Sequence, residues 1–133
     1  MNRPAFIAVI LALCGVASAR AEEIVVIMNP AAGLISKEQI TDLYLARGSG
    51  WILIDQPAGS AIYVEFYKKA TGRDVAQIKA IWSRILFTGR GSPPKQVSDS
   101  TAVKKAVAAD PKAVGYIEKS AVDSSVKVAL PLD

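Results

Sequence analysis

Apolar positions along this chain switch between unbroken runs of strand length and recurrences at helical spacing. The first such run after the N-terminal segment, Ile24-Val-Val-Ile-Met28, is β-branched, follows Glu22-Glu23 and is closed by Asn29-Pro30. With no polar interruption it reads as a strand buried on both faces and paired in parallel. Ser36-Lys-Glu-Gln39 forms a capping box, and Ile40, Leu43, Tyr44 and the stem of Arg47 follow at helical spacing, so a helix over 36–47 is predicted, with Gly48 ending it in a left-handed turn. Trp51 to Ile54 reads as a second buried strand and Asp55-Gln-Pro-Ala-Gly59 as the loop that leaves it. Ser60 caps a helix that stops near Gly72; Asp74, with Gln77 as box partner, opens another that carries Ile78, Ile81, Trp82, Ile85 and Leu86 on one face. After a Gly/Pro-rich loop from Thr88 to Lys95 comes a fourth helix, capped near Ser98 or Ser100 and presenting Val103, Ala106 and Val107. Val114 to Ile117 and Val126 to Leu130 supply two last strands, and Pro131-Leu-Asp133 reads as a frayed end.

Strands alternating with helices imply an α/β fold, a mainly parallel sheet flanked by helices. Ligands of such sheets sit outside the carboxyl ends of the strands, which directs attention to the loops Asp55 to Ser60 and Thr88 to Lys95.

The N-terminal pattern sets the compartment. Arg3 precedes an apolar run from Ala5 to Ala17, and Ala17-Ser-Ala19 and Ala19-Arg-Ala21 fit a small-residue cleavage site. Residues 1–21 therefore read as a secretory signal peptide and 22–133 as one mature domain in the periplasm. A membrane anchor needs about 18 uninterrupted apolar residues, which the run lacks. Cleavage after Ala21 removes the only cysteine, and the chain has no histidine. It also removes Arg3 and Arg20 from the 16 basic residues, leaving 14 against 12 acidic ones, with no basic cluster longer than a Lys pair. Nucleic acid is not an expected partner.

Without His or Cys the usual bases, nucleophiles and transition-metal ligands are missing, so no catalytic residue, cofactor or metal is expected. Asp55, Glu65 and Asp74 fit no recognisable calcium loop. Two places suit an anion. Gly59, Ser60 and Ala61 open a helix, where free N–H groups, the helix dipole and a hydroxyl converge; Ser60 equally well only caps that helix. Thr88, Gly89 and Arg90, in Thr88-Gly-Arg-Gly-Ser92, form a second candidate cradle with a permanently charged fork, or a flexible turn with a solvated arginine. Trp51, Trp82, Tyr44 and Phe66 read as core or interface residues.

The order of segments adds a resemblance. Ile24 to Asn29, Ile35 to Leu45, Trp51, Gln56-Pro-Ala-Gly-Ser60, Phe66-Tyr67, Trp82-Ser-Arg84, Phe87-Thr-Gly89, Pro93-Pro94 and Val114-Gly-Tyr116 succeed one another as in the substrate-binding proteins of phosphate ABC transporters. The chain resembles a short, single-lobe relative of that family, with the type 2 periplasmic-binding-protein-like fold. The likeness covers most of residues 24–130. It implies an exported, non-enzymatic protein that binds phosphate or a similar oxyanion through Gly59, Ser60, Ala61, Thr88, Gly89 and Arg90, with an ABC permease, another periplasmic protein or a second copy of itself as partner. The family's Gly-Ser-Gly-Thr turn reads Gly59-Ser60-Ala61-Ile62 here, and Asp55 or Gln56 stands where the family often has arginine. One lobe is missing, which implies weak binding. The alternative is an interaction module that keeps the lobe and uses its open face to dock a protein; it implies an exposed apolar patch and indifference to phosphate.

Overall fold

The computed structural model describes residues 23–132, so the signal-peptide reading of residues 1–21 lies outside the described part. The elements run β1 (Ile24–Met28), α1 (Lys37–Tyr44), β2 (Ile52–Asp55), α2 (Ala61–Thr71), α3 (Val75–Thr88), β3 (Lys95–Gln96), α4 (Ser100–Ala109), β4 (Ala113–Glu118), one 3-10 turn (Lys119–Ala121) and β5 (Lys127–Leu132). They build one five-stranded sheet in the order β3-β2-β4-β1-β5 with helices on both faces.

β1 explains its own sequence. Val25 and Ile27 enter the apolar cluster on one face, while Ile24, Val26 and Met28 enter the cluster on the other, and none of the five is more than 2% exposed. A strand covered on both sides has no position at which water favours a polar residue. The direction of pairing is a different matter. β2 is parallel to both β3 and β4, as expected, but β1 is antiparallel to both β4 and β5, so the sheet is mixed. The apolar run marks burial on both faces, and a central strand is buried whichever way its neighbours run. The chain's end also departs from the frayed reading: Pro131 lies opposite Val25, and Leu132, opposite Ile24, is only 2% exposed.

Helix boundaries follow local hydrogen-bonding chemistry. The capping boxes at Ser36 and Asp74 form as read, and Ser60 caps α2. α4 is capped by Asp99, whose Oδ1 accepts from the Ala102 N–H at 2.9 Å, and neither Ser98 nor Ser100 takes that role. α1 stops earlier than its periodicity suggests. The Ala46 N–H reaches Leu43 O (3.1 Å) and the Arg47 N–H reaches Asp42 O (2.7 Å), the paired bonds of a Schellman turn with Ala46 itself left-handed at φ 63°. Gly48 serves a different purpose: a Cβ there would lie 2.8 Å from Leu43 Cδ2, so its missing side chain lets the loop fold back onto α1. β3 was not anticipated; two residues directly after Pro93-Pro94 carry no periodicity to read.

On one face Val103 and Val107 of α4 pack against Val25, Ile27, Ile54 and Ile117. The other face is covered by α1 and α2 through Ile40, Leu43, Tyr44, Phe66, Tyr67 and Ala70, with Ile78 of α3 joining them. α3 is the outlying helix, with Ile78 its single buried residue. Gly115 lets α4 lie close on β4, because a Cβ there would meet Val103 Cγ1 at 2.5 Å and Ile54 Cβ at 3.5 Å. Gly115→Ala is expected to destabilise the protein by about 1–3 kcal/mol, the usual cost of overpacking a filled core. Urea unfolding of the variant beside the parent checks this; an unchanged midpoint would show that α4 can shift without cost.

Candidate functional site

β2 ends its apolar run on a carboxylate. Asp55 is 3% exposed, lies at the carboxyl end of β2, and needs donors because ionised oxygens only accept. Tyr67 Oη donates to Asp55 Oδ2 at 2.5 Å, Tyr116 Oη donates to Oδ1, and the Gln56 N–H donates to Oδ1 at 2.9 Å. The same N–H is shared with Tyr116 Oη at 3.2 Å. Tyr67 arrives from the buried stripe of α2 (Tyr63, Phe66, Tyr67, Ala70), and Tyr116 from β4 beside Gly115. The rings hold one another: Phe66 stacks on Tyr116 at 3.7 Å and 2°, and Tyr44 meets Phe66 edge-on at 4.7 Å. Tyr44 Oη lies 2.9 Å from Ile54 O and 3.3 Å from Val114 O, bridging β2 and β4. All four tyrosines of the sequence thus lie in one buried cluster around Asp55.

Gln56, equally buried, extends the network. Its Nε2 donates to Tyr116 O and to Ser100 Oγ, both at 3.0 Å, and Ser100 Oγ donates to Glu118 Oε2 at 2.5 Å. The loop after β2 is therefore tied to the start of α4 and the end of β4.

Burial raises the Asp55 pKa, and the hydrogen bonds from Tyr116, Tyr67 and Gln56 offset that only in part. Burial, followed by the nearby Asp55 charge, pushes the hydroxyls of Tyr44, Tyr67 and Tyr116 far above their ordinary value and that of Tyr63 up to about 12. The tyrosines stay protonated donors, and the carboxylate is satisfied from inside the protein.

The residues expected to hold an anion fall at two helix ends. Gly59, Ser60 and Ala61 stand at the start of α2. The Ser60 N–H and hydroxyl both donate to Pro57 O (2.9 and 2.6 Å), and its Oγ accepts from the Tyr63 N–H at 3.4 Å. Thr88, Gly89 and Arg90 stand at the other pole of a helix, the C-terminal end of α3. Thr88 Oγ1 is 3.0 Å from Arg84 O, the Gly89 N–H donates to Leu86 O (3.2 Å), and the Arg90 N–H donates to Ile85 O (3.3 Å). Of the groups named from sequence, the N–H groups of Gly59 and Ala61 and the Arg90 guanidinium have no protein partner among the described residues.

Two neighbouring clefts border these ends. One, of about 630 Å³, lies between the loop after α1, α3 and the Arg90–Lys95 segment; the other, of about 230 Å³, is floored by Asp55 and edged by Ala58, Tyr63 and Lys79. Trp82, Pro93 and Pro94 line both and stand between them. Arg90 lines the larger cleft; the smaller one takes in residues of both predicted loops, Asp55 and Ala58 with Pro93 and Pro94, but none of the six residues expected to hold an anion. Among the described residues no group of three His, Cys, Asp or Glu side chains could hold a metal ion, and no helix is long and apolar enough to cross a membrane.

No protein-family model matches the sequence, and no curated protein matches it. Solved structures do. An ABC-type phosphate transport receptor from Vibrio cholerae superposes with a TM-score of 0.63 at 19% identity, over 80% of this chain and 45% of the receptor. A Clostridium perfringens protein described as a phosphate ABC transporter substrate-binding protein, solved with bound phosphate, superposes with a TM-score of 0.65 at 18% identity, over 80% of this chain and 44% of its own. The chain thus shares the fold of these proteins and spans less than half of their length.

The Asp55 cluster was not read from sequence, where Asp55 figured as a loop residue and a charge out of place. The available signal was an acidic residue closing Ile52-Leu-Ile54, with every tyrosine of the chain on a predicted helix or strand.

A raised carboxyl pKa gives stability a sign. The folded protein holds the Asp55 proton more tightly than the unfolded chain, so this contribution is fully present below the ordinary aspartate pKa of about 4 and is lost as pH rises through the raised value. Asp123 works in the opposite sense and a lower window: its pKa is held near 2, first by the Ser125 hydroxyl, so its contribution is lost as pH falls below about 4. Comparison with Asp55→Asn cancels Asp123. The stability of the parent minus that of Asp55→Asn, from urea unfolding at a series of pH values, is expected to decline from pH 4 to 7; a flat or rising difference would contradict the buried-carboxylate reading.

Proposed function

We propose that this protein is an exported, non-enzymatic binding lobe that takes phosphate or a similar oxyanion weakly on its open face. The observation that carries the reading is the fold, shared with a protein solved with phosphate bound. Two features of this chain support it. The start of α2 offers N–H groups at Gly59 and Ala61 with the positive pole of an 11-residue helix behind them. The Arg90 guanidinium, in no ion pair among the described residues, lines the cleft of about 630 Å³. The hydroxyls of Ser60 and Thr88 are bound to the chain's own carbonyls, so the oxyanion is held by N–H groups and charge. Export rests on residues 1–21 as a cleaved leader and places the protein in the periplasm, where an ABC permease, another periplasmic protein or a second copy would meet the open face.

A specific feature favours the second reading, a protein-docking module. Leu86 is 59% exposed and Phe87 95%, both at the end of α3, the helix least covered by the rest of the protein. Such apolar exposure suits a partner surface.

Isothermal titration of the purified protein with phosphate and with sulfate separates the two. Saturable binding is expected, weakened about tenfold by Arg90→Ala through loss of a charge-assisted contact. No heat at millimolar ligand would leave the docking module as the function.

A further inference from the structure

We propose that the 630 Å³ cleft is a binding site for a small anion that carries an aromatic or other apolar body, such as a phosphate monoester, in preference to inorganic phosphate. This rests on the reading of the protein as a binding lobe and adds a place and a ligand class.

The first argument is charge. Arg90 and Lys95 line the cleft, no Asp or Glu does, and neither cation is in an ion pair among the described residues. The neighbouring cleft differs, since Lys79 there shares the lining with the Asp55 carboxylate. An anion that reaches this side of the molecule is drawn to Arg90 and Lys95 and away from the buried carboxylate.

The second argument is the apolar part of the lining. Leu43, Trp51, Leu53, Trp82 and Ile85 contribute to it, with two indoles among them. Trp82 is held in place, its Nε1 donating to Tyr44 O at 3.2 Å. Tryptophan faces take flat apolar groups well. The lip is bare backbone, Gly48-Ser49-Gly50 on one side and Gly91-Ser92 on the other. Size completes the case: the volume lies in the range of small-molecule pockets, whereas inorganic phosphate would leave the indole wall facing water.

The cleft is also distinct from the turn implied by the resemblance. It opens at the start of β2, beside Ile52 and Leu53, whereas the turn at Gly59 to Ala61 follows the strand's far end.

The test uses the two tryptophans, the only ones in the sequence, both lining the cleft. Their fluorescence is followed while the purified protein is titrated with phenyl phosphate, inorganic phosphate or benzyl alcohol. A saturable change is expected with phenyl phosphate, at least about tenfold tighter than with inorganic phosphate and absent with benzyl alcohol, because charge and apolar body are both required. Lys95→Ala is expected to weaken phenyl phosphate roughly five- to tenfold. Lys95 is exposed on a two-residue edge strand, and unchanged circular dichroism of the variant confirms folding. If inorganic phosphate binds as tightly as phenyl phosphate, or if Lys95→Ala leaves phenyl phosphate unaffected, the proposal falls and the oxyanion reading stands. If phenyl phosphate alone changes the fluorescence, the proposal stands, and the calorimetric titration with inorganic phosphate decides the oxyanion reading separately. If neither changes it, the proposal falls.

Discussion

A carboxylate withdrawn from water at the end of β2 is the constraint on which the setting of α2, β4 and the start of α4 depends. Desolvating a carboxylate costs several kcal/mol unless donors meet it, and Asp55 collects its donors from three separate places: α2, β4 and the backbone of the following residue. Each donor fixes an element. Tyr67 sets the rotation of α2 over the sheet, and Tyr116 stacks beneath Phe66 of the same helix. Gln56, held by its own N–H at the carboxylate, sends its side chain to Tyr116 O and Ser100, so the start of α4 is tied to the same centre from the opposite face of the sheet. Loss of any one donor would leave a buried charge short of a partner, which is why the tyrosines belong to the architecture as much as to the core.

That centre changes what the strand end can do. Here the charge beyond β2 is the protein's own, the donors around it are occupied, and the hydroxyl that remains in the turn, that of Ser60, is spent on Pro57 O. Positive charge without an ion-pair partner among the described residues lies at Arg90 and Lys95, in the cleft across Trp82 and the Pro93-Pro94 turn.

What could be read from the sequence, and what could not, divides by range. Capping boxes at Ser36 and Asp74, the cap at Ser60 and the unbroken β1 run are local signals, each decided by residues within a turn or by burial on both faces, and all were legible. The antiparallel setting of β1 was not, because burial alone shapes its composition. Ala46 in a left-handed turn was hidden because glycine is the expected residue and Gly48 lay two positions on, employed for contact with Leu43. The Asp55 centre joins residues 12 and 61 apart in sequence, so it has no spacing to recognise. Arg90 was noticed through its glycine neighbours, yet those neighbours close α3 in a Schellman-type turn that uses the N–H groups a cradle would need.

Exposure to solvent bears on what kind of ligand this face could hold. A receptor that closes two lobes over its anion strengthens each hydrogen bond by excluding water. An anion on an open face stays in contact with solvent, where its attraction to exposed cations such as Arg90 and Lys95 is screened beyond about 8–10 Å at ordinary ionic strength. Burial of apolar surface is not weakened in that way, since it requires one complementary wall and no closure. An apolar body laid on Trp51 and Trp82 would therefore contribute, on a single face, part of what closure contributes in the complete receptors, while the two cations select the sign of the charge that comes with it. The same reasoning applies to the exposed end of α3, where Leu86, on the edge of the smaller cleft, and Phe87 offer a second apolar surface whose burial by a partner would not depend on closure either.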